Sequence, residues 1–215
     1  MLQSILKDFS INVTEMFRDP DFFKAMREEV IPLLKELPEI RIWHAGCSTG
    51  EEAYSMAILL EEEGLGDRAK IYATDMNEIV LQKAEAGVIP LHKMQAYTKN
   101  YILAGGKKSF SEYYNADSEA AHLAPYLRKN IMFAQHNLVT DGSFNEFHVI
   151  ICRNVMIYFN LQLQQQVFRL FNESLSDGGF LCLGTKESAR TDHGFLDEFN
   201  STEKIYRKKS RNPLS

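Results

Sequence analysis

At 215 residues, with 45% hydrophobic and 11% aromatic side chains, the chain has room for one domain with a substantial core and a small insertion. A formal charge of −5 argues against nucleic acid as a partner, and no apolar run approaches the roughly 20 residues that cross a bilayer, so no membrane insertion is expected. Nothing resembles a signal peptide, and Cys47, Cys152 and Cys182 are odd in number with no C-x-x-C pair, which points to reduced thiols and a cytoplasmic location. The histidines show no i, i+4 pair, so no metal is expected.

Leu2, Ile5, Leu6 and Phe9 fall at helical spacing, and the pattern changes sharply over 12–20. Pro20 suits the start of a new helix, and Phe22, Phe23, Met26, Val30, Leu33 and Leu34 form its apolar stripe, bent or broken at Pro32. Residues 40–55 read as a buried strand, a turn bounded by Gly46 and Gly50, and a helix that Ser48 and Thr49 can cap. The acidic run 61–63 near that helix's end is expected to be a solvated face. A second strand over 70–76 carries Asp75 at its end, and a helix over 77–86 stops at Gly87, completing a βαβ unit.

The alternation then breaks over 88–130, where Pro90, Gly105-Gly106, Tyr113-Tyr114 and Pro125 suggest an inserted lobe or a loop-rich excursion. It resumes with a strand over 131–138 and another over 147–159, apolar on both faces as a central parallel strand should be. A helix over 161–175, a turn at 177–179, a strand over 180–184 and a hairpin over 195–207 follow, with a basic frayed tail from 208 to 213. The pattern predicts an α/β fold whose ligands bind at the carboxyl ends of the strands.

The 46–50 turn lacks both the Lys-Ser/Thr of a triphosphate loop and the G-x-G-x-x-G of a dinucleotide fingerprint, and Glu51 and Glu52 would repel a pyrophosphate. A ligand with an amino group and hydroxyls, and no phosphate, suits it better. Asp75 stands where such a sheet places a carboxylate to accept from a ribose diol, with a helix-cap role as the competing reading. Arg153 and Asn154 follow an apolar run at a strand's carboxyl end, the second candidate position.

Asn12-x-Thr14-x-x-Phe17-Arg18, the run 45–52, Ala73-Thr74-Asp75, Asn137-Leu138 and the run 152–159 occur in the order seen in CheR-type chemotaxis receptor methyltransferases, which the chain resembles over almost its whole length. The resemblance implies one methyltransferase domain over 1–215, with a seven-stranded Rossmann-like sheet of the class I type and a small antiparallel subdomain inserted at 88–130. It also implies that the family's N-terminal helical domain is largely absent from this sequence. The implied donor is S-adenosyl-L-methionine, with S-adenosyl-L-homocysteine as product and no metal; the implied acceptors are glutamates on the cytoplasmic helices of chemoreceptors. A monomer is expected. By the same resemblance Asn12, Thr14 and Arg18 belong to a segment that covers the donor, and Gly46 and Glu51 to the turn that binds it. Asp75 corresponds to the ribose carboxylate and Asn137 and Leu138 to adenine contacts. Arg153 and Asn154 line the donor, and Tyr158 stands beside the methyl group. Lys186 departs from the family pattern, which usually has Ser there.

Methyl transfer to a glutamate needs no strong base, because a carboxyl with a reference pKa of about 4.3 is already ionised at neutral pH. Arg153 and Tyr158 are the residues expected to act in transfer, and either Arg18 or Arg153 could hold a carboxylate of donor or acceptor through a forked hydrogen bond. Structural alternatives are an ion pair for Arg153, a core aromatic for Tyr158, a solvated or capping role for Glu52, and satisfied core positions for His44 and His136. A different class of function, a module that senses the donor or its product and signals through a protein partner without methylating, competes with the enzyme.

Overall fold

The computed structural model of the chain describes residues 14–189 and 194–210. The first helical pattern and Asn12 lie outside the described residues. Strands β1 (Ile40–Ala45), β2 (Ala69–Asp75), β6 (Ile131–Gln135), β7 (Phe147–Cys152), β8 (Leu175–Leu183), β9 (Leu196–Asn200) and β10 (Ile205–Lys208) form one sheet in the order β6-β2-β1-β7-β8-β10-β9. The first five are mutually parallel, and β10 is antiparallel to both of its neighbours. From β1 the chain winds outward through β2 to β6, then crosses to β7 and β8, so the winding reverses between β1 and β7. This is a Rossmann-like sheet of seven strands, as expected, and its reversal leaves a crevice at the carboxyl ends of β1 and β7.

Alternate strand residues face two cores. Ile40, Ile42, Ile71, Val149, Ile151 and Cys182 pack on the side of α1 (Pro20–Ala25), α2 (Ile31–Leu34) and α3 (Glu51–Glu62). Trp43, Ile150, Cys152, Leu181 and Leu183 pack on the side of α7 (Leu161–Ser174). Helix α4 (Glu78–Ala86) ends at Gly87 in the left-handed region, φ 61°, as its glycine predicted.

Several local expectations are corrected. Pro32 does not break its helix: Met26–Val30 widens into a π turn, with Ile31 N donating to Met26 O immediately before the proline, and the stripe is buried except for Leu33. Five-residue closure supplies the adjustment that a ring without an N–H demands. The predicted 147–159 strand stops at Cys152, and residues 177–179 lie inside β8, where left-handed Gly178 accompanies a register shift against β7. Lys208 belongs to β10 rather than to a frayed tail, its buried Nζ donating to Asn172 O and Leu175 O at 2.6 Å each.

Residues 88–128 hold β3 (Val88–Pro90), α5 (Met94–Leu103), β4 (Tyr114–Ala116), β5 (Ala120–Leu123) and α6 (Pro125–Arg128), with a separate antiparallel sheet in the order β3-β5-β4. This unit shares the α1–α3 core: the Phe17 ring meets Tyr101 at 5.2 Å and Phe110 at 6.1 Å, edge to face. Two acids of the run expected to face solvent, Glu62 and Glu63, anchor this unit instead, while Glu61 is exposed. The Glu62 side chain is 0% exposed and accepts from Tyr113 Oη at 2.9 Å, Arg27 Nη2 at 2.7 Å and Lys107 N at 3.0 Å, and also from Tyr101 Oη. Burial alone would raise its pKa, but these donors, Tyr101 foremost, outweigh it and hold the carboxyl below the ordinary glutamate range.

Candidate active site

Parallel strands end on the same side, so the sheet gathers the 46–50 turn, Asp75, residues 136–138, the 153–158 segment and the 184–187 turn along one edge. Gly46, Ser48 and Gly50 all have left-handed backbones, with φ of 78°, 51° and 89°. A Cβ on Gly46 would lie 2.6 Å from Val155 Cγ2, and one on Gly50 2.9 Å from Ala84 Cβ. Both glycines therefore serve close packing inside the protein, the first locking the turn to the segment after β7. The turn is also fastened to β2, since Gly46 N and Cys47 N both donate to Thr74 O at 2.8 Å. Neither Ser48 nor Thr49 caps α3, whose N-cap is Gly50 without a side-chain bond. Instead Ser48 N donates to Asp75 Oδ2 at 2.9 Å, and Thr49 Oγ1 to Glu51 Oε2 at 2.6 Å.

Asp75 is held in the open edge by backbone amides. Its Oδ1 accepts from Asn77 N at 3.0 Å, while Asn77, not Asp75, caps α4 by accepting from Ile79 N. Each Asp75 oxygen thus retains acceptor capacity for a ligand hydroxyl. Glu51 is buried, which raises its pKa; hydrogen bonds from Thr49 and Thr14 and the charge of Lys93 oppose the rise without cancelling it. Thr14 and Glu51, 37 positions apart in sequence, are thereby neighbours. Asn137 Oδ1 is turned back onto Val139 N at 3.0 Å, and Leu138 is buried in the core beside Trp43.

Arg153 is the most constrained of the candidates. Its side chain is 1% exposed, with Nη2 2.6 Å from Asp19 Oδ2 and Nη1 3.2 Å from Glu52 Oε2. Nη1 also donates to Arg18 O at 3.3 Å, and the guanidinium lies over the Phe22 ring, 4.1 Å from its centroid. The ion-pair reading of Arg153 is what the protein displays. Glu52, expected in a solvated or capping role, bridges Arg153 and His44, whose Nδ1 lies 3.2 Å from Glu52 Oε1. Burial pushes the Glu52 carboxyl up, and the bond to His44 and the charge of Arg153 more than reverse it, leaving it lowered. His44 Nε2, Ser48 Oγ and Arg153 Nε are buried without a hydrogen-bond partner among the described residues. His44 is therefore only half satisfied.

Tyr158 is not a core aromatic. It closes a single 3₁₀ turn, Met156–Tyr158, and is 49% exposed. Asn154 begins that segment with φ 60°, and its N–H donates to the buried carboxylate of Glu187 at 2.9 Å. Asp19 and Glu187 carry no expectation from the sequence, and Glu52 carries only a solvated or capping one. Glu187 follows β8 as Asp75 ends β2, so the same strand-end rule would have found it; Asp19 and Glu52 declare themselves only when Arg153 is folded between them.

Asp19 and Glu52 are engaged with Arg153, whereas Asp75 and Glu51 keep carboxylate oxygens beside the 46–50 turn, where Ser48 Oγ has no partner among the described residues, and that pair suits a cationic ligand with hydroxyls. That chemistry fits S-adenosylmethionine. Among the described residues no group of three His, Cys, Asp or Glu is placed to hold a metal, and no helix is long and apolar enough to cross a membrane. The three cysteines are free and buried, and burial raises all three thiol pKa values.

Among curated proteins the chain is similar to a Pseudomonas putida protein named as a methyltransferase, Cher3, with 53% identity over 188 residues, covering 87% of this chain and 69% of that one. A Listeria monocytogenes chemotaxis protein methyltransferase is 32% identical over 87% of this chain and 69% of its own. A 104.1 kDa Rhodobacter capsulatus protein is 34% identical over 87% of this chain, which spans only 20% of its length. Residues 12–205 match the family described as CheR methyltransferase, SAM binding domain. That match takes in the 46–50 turn, Asp75, the Arg153–Tyr158 segment and the Glu187 turn together, and the chain belongs to the CheR methyltransferase family.

Proposed function

We propose that this domain transfers a methyl group from S-adenosylmethionine to glutamate side chains on the cytoplasmic helices of chemoreceptors, giving methyl esters. The observation that carries the proposal is Tyr158, a half-exposed aromatic at the carboxyl edge of the sheet, joined through Val155 and Gly46 to the turn that also anchors Asp75. A rim aromatic coupled to the donor turn is what an enzyme needs to meet a second, macromolecular substrate.

S-adenosylmethionine, when bound, supplies an electrophilic methyl group on a sulfonium. Asp75 would accept from the ribose hydroxyls, Glu51 would hold the ammonium, and Asn137 and Leu138 would border the adenine. Thr14 and Arg18 would close over the methionyl end together with Asn12, and Gly46 and Asn154 would line it. Arg153, already committed to Asp19 and Glu52, acts in this reading by fixing the 18–19 backbone and the first turn of α3. Arg18, in the segment that covers the donor by the family resemblance, is the second candidate for the donor carboxylate. No group on the protein has to remove a proton, because the acceptor arrives ionised. The protein contributes by holding the reactants in line and excluding water from the acceptor carboxylate, which in favourable intramolecular cases reaches about 7–11 kcal/mol.

The test is transfer of label from tritiated donor to receptor cytoplasmic fragments. Counts that become volatile methanol in base support a glutamate methyl ester. Base-stable counts would point to another acceptor group, and donor binding without transfer to any receptor fragment would favour the sensing module.

A further inference from the structure

Glu187 has no role in the reading above, yet it is buried and its carboxylate is held, among the described residues, by backbone amides alone. The residue is 6% exposed, and its two carboxylate oxygens take three backbone amides. Oε2 accepts from Gly184 N at 2.6 Å and Asn154 N at 2.9 Å, and Oε1 accepts from Ile157 N at 3.2 Å. Two of these amides lie in the segment that ends in Tyr158. Its own turn is closed by Glu187 N donating to Gly184 O at 2.9 Å. A Cβ on Gly184 would lie 2.8 Å from Glu187 Oε2 and 2.9 Å from Asn154 N, so only glycine allows the two turns to approach this closely.

We propose that Glu187 is a positioning residue for methyl transfer, clamping the 154–158 segment so that Tyr158 is held at the rim. The proposal rests on the methyltransferase reading for its kinetic consequence, although the clamp itself does not. The segment needs such a clamp. Asn154 has a left-handed backbone that a non-glycine residue adopts at a cost, and Met156–Tyr158 is one isolated 3₁₀ turn. An ionised carboxylate accepting several N–H groups makes stronger bonds than a neutral acceptor. An amide in its place would set its own N–H₂ against one of the three donors.

Glu187→Gln should leave affinity for S-adenosylhomocysteine, measured by calorimetry, within about threefold, while lowering kcat at saturating donor and receptor fragment by about tenfold or more. A double-mutant cycle with Tyr158→Phe should be non-additive, because both substitutions act on the same presented side chain. Native-state hydrogen exchange at Asn154 and Ile157 should accelerate by about tenfold or more without a matching loss of global stability. If Glu187→Gln does not fold, Glu187→Asp, which keeps the charge but shortens its reach, should show the same pattern more weakly. A wild-type kcat, additivity in the cycle, or unchanged exchange at those two amides would overturn the proposal. Should the unmodified domain fail to label receptor fragments, the methyltransferase reading is what has failed, and the exchange measurement still decides whether Glu187 clamps the segment.

Discussion

Asp75 and Arg153 illustrate two ways of holding a charge at a strand end, and they call for different substitutions. Asp75 takes backbone amides from two elements, Ser48 N and Asn77 N, so truncating it would disturb the turn as well as any ligand. Asp75→Asn removes the charge and keeps an acceptor for one of the two amides, turning its own N–H₂ toward the other. It should weaken S-adenosylhomocysteine binding by about 1.5–3 kcal/mol, roughly 10- to 150-fold, beside a stability loss of about 1–3 kcal/mol from the amide left facing an N–H₂. Calorimetry giving wild-type affinity would remove Asp75 from the ribose role. Arg153 is enclosed by two carboxylates and a ring, so Arg153→Leu strands Asp19 and Glu52 without their partner. Losing one side of a buried pair costs about 3–5 kcal/mol, and denaturant unfolding should register about that much. A loss under about 1 kcal/mol would show that the network does not hold the 18–19 backbone to α3.

At the scale of elements, the β3-β5-β4 sheet and α5 depend on one carboxylate of α3. Glu62 joins Tyr101 and Tyr113 of that unit to Arg27, and its side chain is fully enclosed. Glu62→Gln retains the volume but must turn an amide N–H₂ toward groups that now all donate to the carboxylate, of which only the tyrosine hydroxyls can reverse. The expected cost is about 1–3 kcal/mol. Its signature should be regional, with hydrogen exchange rising across 94–123 and little change in β1, β2 and β7. Uniform acceleration over the whole protein would mean that the unit and the main sheet open together as one cooperative body. The aromatic contacts of Phe17 with Tyr101 and Phe110 are the reason to watch for that outcome.

For the molecule as a whole, acid acts on two opposing sets of groups. Glu52, Glu62 and Glu63 are lowered, so the stability they contribute is present above the unfolded carboxyl pKa of about 4.3 and is lost as pH falls through their lower folded values. Glu51 is raised, so its contribution is present below the unfolded value and is lost as pH rises through the folded one. An ammonium ligand needs Glu51 ionised. Donor affinity should therefore fall as pH drops through the raised Glu51 value, above the ordinary glutamate range and before acid unfolding begins, and Glu51→Gln should bind more weakly but without that slope. Calorimetry over this range beside far-UV circular dichroism would separate the two, and equal slopes in both proteins would clear Glu51 of the ammonium role. The strand and helix order, the glycine turn, Asp75 and the Arg153–Tyr158 segment were all legible in the sequence, because hydrophobic period, glycine placement and strand-end polarity are properties of short stretches of chain. What surrounds a charge is not such a property. Glu62 looked like part of a solvated run until α5 and the 107–113 loop folded over it, and the core alternative for Tyr158 fell only when β7 stopped at Cys152. Arg153 gained Asp19 and Glu52 from 134 and 101 residues away, and Glu187 reached Asn154 across 33. Those pairings were decided only by tertiary structure, since it is the parallel sheet, with its strand ends on one edge, that makes distant residues neighbours.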